Sequence, residues 1–257
     1  MAITIDTQVS GAVGEIRFAK PPHNYACPDL LSRIADALAV FDADPRVRAT
    51  VLVAQGRAFC AGADLAGDES IAGDAGMDAI GGLYAQAERL FRRAKPMVAA
   101  IQGAAIGAGL GLALAADFRV AGPRARLSSN FVRLGFHPGF GLTCTLPRLV
   151  GAQRSAWMML SAERVKPAQA LAWGLVDRLA DEGGERDVAL AMAGEIAANA
   201  PLALQAVRAT LNAGLADDVV KAMRHEHAEQ TALRPSADYA EGVASVFERR
   251  EANWLGR

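Results

Sequence analysis

The sequence predicts an α/β chain, with a β/α core through about residue 180 and an almost wholly helical stretch after it. Three observations carry this. Residues 49–54 and 97–101 are continuous apolar runs, as expected of strands buried on both faces. Between and before them, apolar residues recur at intervals of three and four, the helical period. From Arg186 onward, four successive segments carry helical patterning with no strand signal between them.

Taken in order, residues 3–9 and 13–18 alternate and flank Ser10-Gly11, which reads as a hairpin. Lys20-Pro21-Pro22-His23-Asn24 must be a loop, because prolines cannot donate to a central ladder. Residues 28–41 form a helix with Leu30, Leu31, Ile34, Leu38 and Phe41 on one face and Pro28 in its first turn. A glycine-rich loop spans 55–77, a length that suits a functional segment. Helix is expected at 79–93, a strand at 97–101, a small-residue helix at 106–115 and a strand at 118–121. Short helices follow at 143–150, 154–160 and 167–173, with a strand at 175–179. The tail reads as helices at 188–199, 201–212, 217–233 and 236–250, whose apolar faces need the core or another subunit as partner.

Composition excludes several classes. Of the 257 residues 52% are hydrophobic and 21% charged, which rules out a disordered or collagen-like chain. The 27 basic and 28 acidic residues leave a net charge of -1, and aromatics are only 6%, so neither a phosphate-backbone surface nor a base-stacking platform is expected. The cysteines Cys27, Cys60 and Cys144 are odd in number and widely spaced, which argues against disulfides and zinc and suits a reducing cytoplasm. Residues 1–7 show no signal-peptide pattern. Residues 97–116 are uncharged and long enough to span a bilayer, but alanine and glycine make them only weakly apolar, so a buried strand, turn and helix is the expectation.

Two stretches could carry chemistry. Ala58-Phe59-Cys60-Ala61-Gly62-Ala63-Asp64-Leu65 follows a buried strand, and its small residues let a ligand approach the backbone, with Asp64 a candidate helix cap. Read alone it is better explained as a tight strand-to-loop turn, where small residues are common. Gln102-Gly103-Ala104-Ala105-Ile106-Gly107-Ala108-Gly109-Leu110-Gly111 also follows a strand and opens a helix. It lacks the GxGxxG order and the later acid of a dinucleotide site, so that reading is weak.

Together the two stretches resemble the crotonase superfamily, the enoyl-CoA hydratase/isomerase family. Lys20 to Asn24, Asp117-Phe118-Arg119-Val120-Ala121, residues 134–149 and residues 241–254 extend the resemblance over nearly the whole length. It implies the crotonase spiral of ββα units at 1–180 and a C-terminal helical trimerisation region at 181–257, in a homotrimer or hexamer. It implies an acyl-CoA ligand whose thioester oxygen lies between the N–H groups of Ala63 and Ala108, an oxyanion hole that stabilises an enolate. Substrate-binding positions implied alongside are His23, Ala26, Ala61, Asp64, Leu65, Gly107, Gly111, Phe131 and Arg249, the last for a CoA phosphate. No metal or redox cofactor is implied, coenzyme A entering as part of the substrate, and neither nucleic acid nor membrane is expected as partner.

The chain departs from the family at its acids. The two glutamates with which the hydratases activate water correspond to Gly111 and Phe131, and between Glu88 and Glu163 the only acidic residue is Asp117. His137, in Gly135-Phe136-His137-Pro138-Gly139, is the remaining residue of that span with a pKa near neutrality and is the candidate acid or base. The readings are thioester-enolate chemistry of a lyase or isomerase kind, a non-catalytic acyl-CoA-binding protein, or a hydrolase, decarboxylase or isomerase working through His137. Cys144 is expected in the core. His225 and His227, two apart on a helix, point too far apart to share a metal.

Overall fold

The computed structural model describes residues 2–64 and 76–257. Strands β1 (Thr4–Ser10) and β2 (Val13–Ala19) form the expected antiparallel hairpin. Then come α1 (Pro28–Ala43), β3 (Ala49–Ala54), α2 (Gly76–Arg92), β4 (Met97–Ile101), β5 (Ala104–Ile106), α3 (Ala108–Leu114), β6 (Phe118–Ala121) and β7 (Arg126–Ser128). A 3-10 turn at Phe131–Leu134 leads to α4 (Leu142–Val150), α5 (Ala152–Ser161), α6 (Pro167–Trp173) and β8 (Arg178–Leu179). The chain ends with α7 (Glu185–Ala197), α8 (Pro201–Leu211), α9 (Leu215–Leu233) and α10 (Ala237–Glu248). The uncharged stretch at 97–116 is split among β4, β5 and α3, and among the described residues no single helix is long and apolar enough to cross a membrane.

A six-stranded sheet runs β1-β2-β3-β4-β6-β8, parallel from β2 onward. A second layer pairs β5 with β7 and is widened by single bridges, Ala26 to Ala63, Cys60 to Ala105 and Leu127 to Val165. Each turn of the chain thus adds one strand to the large sheet and, a few residues later, a short extended piece to the small one. This repeating step is the spiral, and it sets 26, 60–63, 104–106 and 126–128 side by side.

Strands β3 and β4 are buried on both faces of the large sheet, which is why they are apolar but for Thr50. On β4, Met97, Ala99 and Ile101 join the main core with α1 and α2, while Val98 and Ala100 face the other way. There they meet Ala189, Met192 and Ala193 of α7. Helix α9 packs on α2 and α4, and α10 on the 3-10 turn. Helix α8 has no fully buried residue, and Leu202 (79% exposed) and Leu211 (72%) lie outward. Its Arg208 Nε donates to Asp117 Oδ1 at 3.0 Å, and the same carboxylate accepts from Arg93 and from the Met97 N–H.

Candidate active site

The spiral brings two backbone amides to one place. The Ala26 N–H donates to Gly62 O (2.8 Å) and the Asp64 N–H donates to Ala26 O (3.2 Å). A trans peptide sets its N–H and C=O on opposite sides. The Ala63 N–H, which shares a peptide with the Gly62 carbonyl, therefore points away from Ala26. One layer on, the Gly107 N–H donates to Ser128 O (2.9 Å) and Gly107 O accepts from the Gly111 N–H (3.1 Å), so the Ala108 N–H points out of the start of α3. Glycine is required at 109: a Cβ there would stand 2.7 Å from the Cys60 carbonyl carbon, so only a bare Cα lets α3 sit against the bridged segment 60–63. Ala63 and Ala108 both line a single chamber of about 130 Å³. Neither N–H donates to a described residue, and two free N–H groups on the lining of one chamber are what holding negative charge on a carbonyl oxygen requires.

The chamber walls are apolar: Ile80 and Leu83 from α2, Phe131, Leu134, Phe136 and Phe140 from the 3-10 turn and the loop after it, and Val246 from α10. Four polar side chains also line it, Tyr25, Tyr84, Asn130 and Gln230. The Tyr84 hydroxyl donates to Gln230 Oε1 at 3.0 Å, and Gln230 Nε2 donates to His137 O at 2.9 Å, so these two are tied into the fold. Burial, and then the nearby Glu226 carboxylate, push the Tyr84 hydroxyl well above its ordinary pKa, so it stays protonated. Glu226 on α9 is fully buried and accepts from the Gly141 and Thr143 N–H groups (2.7 and 3.0 Å) and the Thr143 hydroxyl (2.6 Å), capping α4 from outside. Burial raises its pKa, and these hydrogen bonds and His137 only partly offset that.

Of the residues singled out in the sequence, Ala61, Ala63, Gly107, Ala108 and Phe131 line the chamber together. Ala26 is buried and contributes its backbone, holding Ala63 through the bridge. His23 is exposed; its carbonyl accepts from the Ala61 N–H at 3.1 Å and its ring stands edge-on to Tyr25. Asp64 pairs with Lys20 Nζ at 3.0 Å. Leu65 and the rest of 65–75 in the glycine-rich loop lie outside the described residues.

Two placements differ from expectation. Gly111 does not line the chamber, because the fully buried Phe140 ring lies against it: a Cβ on Gly111 would stand 2.5–2.6 Å from three Phe140 atoms. His137 does not line it either. Its ring packs edge-on against His225 of α9 (centroids 5.9 Å apart), with Nδ1 2.7 Å from Pro138 O. Pro138 and Gly139 turn the chain so that the carbonyl of His137, not its imidazole, reaches the Gln230 that lines the chamber.

Beside the chamber, and sharing Ala61, Asn130 and Val246 with it, a larger open cleft of about 770 Å³ carries Arg126, Arg133, Arg164, Arg249 and Arg250. Arg250 pairs with Glu241 and Glu248, whereas no ion pair to a described residue engages the other four. Such a cluster fits a ligand with phosphate groups.

These features have counterparts in known proteins. The enoyl-CoA hydratase/isomerase family profile matches residues 8–257. The chain is 31% identical over 231 residues to a crotonyl-CoA hydratase of Syntrophomonas wolfei, covering 89% of this chain and 88% of that protein. It is 34% identical over 238 residues to a mevalonyl-coenzyme A hydratase of Beauveria bassiana, covering 86% and 83%. The crystal structure of an enoyl-CoA hydratase from Mycobacterium avium subsp. paratuberculosis superposes with a TM-score of 0.83 at 26% identity over 98% of each chain. The fold is thus the crotonase fold of the enoyl-CoA hydratases. The chain belongs to the enoyl-CoA hydratase/isomerase family.

Proposed function

We propose that the protein binds acyl-CoA thioesters with the acyl group in the apolar chamber, and that the Ala63 and Ala108 amides stabilise an enolate on the thioester oxygen. The observation that carries this reading is that Ala63 and Ala108 line one chamber, with N–H groups that donate to no described residue, beside a cleft in which four of five arginines have no ion pair to a described residue. The arginines, Arg249 among them, take the phosphates of coenzyme A. A chamber of about 130 Å³ suits a short or compact acyl group, since an engineered cavity of roughly 150 Å³ holds benzene. The amides carry the developing charge, so the reaction asks for no metal or redox cofactor, and coenzyme A enters only as part of the substrate. Exposed apolar side chains on α8 and around α10, such as Leu202, Leu211 and Phe247, support a homotrimer or hexamer. Cysteines that form no disulfide suit the cytoplasm.

A second reading, acyl-CoA binding without turnover, draws on Gly111, Phe131 and Phe140. At the two positions that correspond to the family's acids there is a glycine covered by a phenyl ring and a second phenyl ring in the chamber wall. Turnover through the His137 imidazole has less support, since the ring faces α9. Calorimetry with free CoA, butyryl-CoA and crotonyl-CoA, joined to mass detection of products, tests the proposal. Micromolar binding is expected, with crotonyl-CoA hydration lower by at least the 10²–10⁴-fold that one acid–base group supplies. Absence of heat and of thermal stabilisation with every thioester would overturn acyl-CoA binding, and binding with no product from any of them would favour the second reading.

A further inference from the structure

Asn130 is a polar side chain of the chamber that the fold does not explain. It precedes the 3-10 turn at Phe131–Leu134, a position where asparagine ordinarily caps the turn with its side chain, yet it makes no such bond. Its backbone carbonyl accepts from the Arg133 N–H at 3.0 Å, so the main chain is anchored while the side-chain amide makes no hydrogen bond to a described residue. The residue is half-buried, so its amide is held in the wall and remains open to a ligand. By contrast Gln230, the other amide in the wall, uses both its oxygen and its nitrogen within the fold.

Its position says what the missing partner is. Asn130 lines both the chamber and the arginine cleft, so it stands at the neck between them. Its Oδ1 lies over Gly107, 3.2 Å from where a Cβ would be, and any side chain at 107 would press on it. Gly107 shares with Ala108 the peptide that supplies the outward N–H. The amide is therefore within one residue of the donor assigned above to the thioester oxygen. The nearest atoms of a bound ligand would be the acyl carbons that follow the thioester carbonyl. Around them the rest of the neck is apolar, with Phe131 following directly in the chain. An uncharged group that both donates and accepts matches a hydroxyl or carbonyl oxygen.

Resting on the acyl-CoA reading, we propose that Asn130 is a substrate-contacting residue that sets specificity, its amide hydrogen-bonding an oxygen substituent on the second or third acyl carbon. The site then favours oxygenated acyl thioesters, 3-hydroxyacyl and 3-oxoacyl among them, over saturated ones. The test is a set of dissociation constants for butyryl-CoA, 3-hydroxybutyryl-CoA and acetoacetyl-CoA with the wild type, Asn130→Leu and Asn130→Asp. The wild type should prefer the two oxygenated ligands by about 3–10-fold, the worth of one hydrogen bond. Asn130→Leu should bring all three within twofold of one another. Asn130→Asp, which only accepts, should keep the hydroxyl preference and lose the oxo preference. Equal binding of the three by the wild type, or an unchanged preference in Asn130→Leu, overturns the proposal while leaving acyl-CoA binding in place. Failure of the wild type to bind any of them overturns acyl-CoA binding itself. Should the leucine variant not fold, the Asn130 side-chain ¹⁵N–¹H resonances of the wild type supply the second readout: they should shift with 3-hydroxybutyryl-CoA beyond their shift with butyryl-CoA, and equal shifts overturn the proposal.

Discussion

Gly111→Ala should change the sign of its effect according to what stands at position 140. At Gly111 an added Cβ would lie 2.5–2.6 Å from three atoms of Phe140, nearly 1 Å inside the 3.4 Å where ordinary contact begins. The ring cannot swing clear, since Phe140 is fully buried and its backbone sits at φ +63°. Overpacking of this kind costs about 1–3 kcal/mol. Against it stands the gain of about 1 kcal/mol from replacing glycine by alanine inside a helix, here α3. In the wild-type background the substitution should be neutral to destabilising by about 2 kcal/mol. With Phe140→Gly, which removes the Cβ as well as the ring, suits the φ of +63° and itself costs about 3–5 kcal/mol for the lost side chain, the obstruction is gone and Gly111→Ala should stabilise by about 1 kcal/mol. The coupling read from urea unfolding of the four proteins should therefore be about 1–3 kcal/mol, seen in melting as a few degrees. Equal stabilisation by Gly111→Ala in both backgrounds would mean that no phenyl ring presses on this glycine, and the account of how Phe140 takes up the space beside position 111 would fall.

Two further outcomes follow from the same geometry. Burial alone would raise the Asp117 carboxyl, but Arg93 and Arg208 outweigh it and hold the pKa below the ordinary aspartate value. Its stabilisation is accordingly full above about pH 3.9 and is lost as pH falls through the lower folded value. Asp117→Asn should cost about 3–5 kcal/mol at neutral pH by leaving two buried guanidiniums uncompensated, and should lose less stability than the wild type on acidification; parallel acid-unfolding curves would contradict this. At the cleft, Arg133→Ala and Arg249→Ala should each weaken CoA-thioester binding roughly 3–10-fold at low salt and flatten its salt dependence. Binding of the matching pantetheine thioester, which lacks the nucleotide phosphates, should be unchanged, and an equal loss for both ligands would remove the arginines from phosphate recognition.

Much of the spiral was legible in the sequence because its signals are local. The apolar runs at 49–54 and 97–101, the hairpin at Ser10-Gly11 and the helix from Pro28 each follow from neighbours in the chain. Strands β5 and β7, three residues each, were not legible, since so short a segment has no period to read. Tyr84 reads as one more core residue beside Ile80 and Leu83, and nothing local marks it as a chamber wall. Glu226 and Gln230 did leave a signal. They lie on the stripe Val219, Met223, Glu226, Gln230, the buried face of α9, and a polar side chain on such a face must find a partner in the interior.

By itself the sequence determined which residues stand in the chamber region: the small residues at 61–63 and 107–109, a glycine and a phenylalanine at 111 and 131, and the aromatic residues at 136 and 140. These are matters of identity, and no folding changes them. Only the tertiary structure decided which way each group faces. It turned the Ala63 N–H outward by bonding its two neighbours to Ala26, and laid Phe140 over Gly111. It aimed the His137 ring at α9 and left the Asn130 amide at the neck without a partner in the described fold. Direction depends on contacts between residues some 20 to 100 positions apart, and no local pattern in the chain records which of these close.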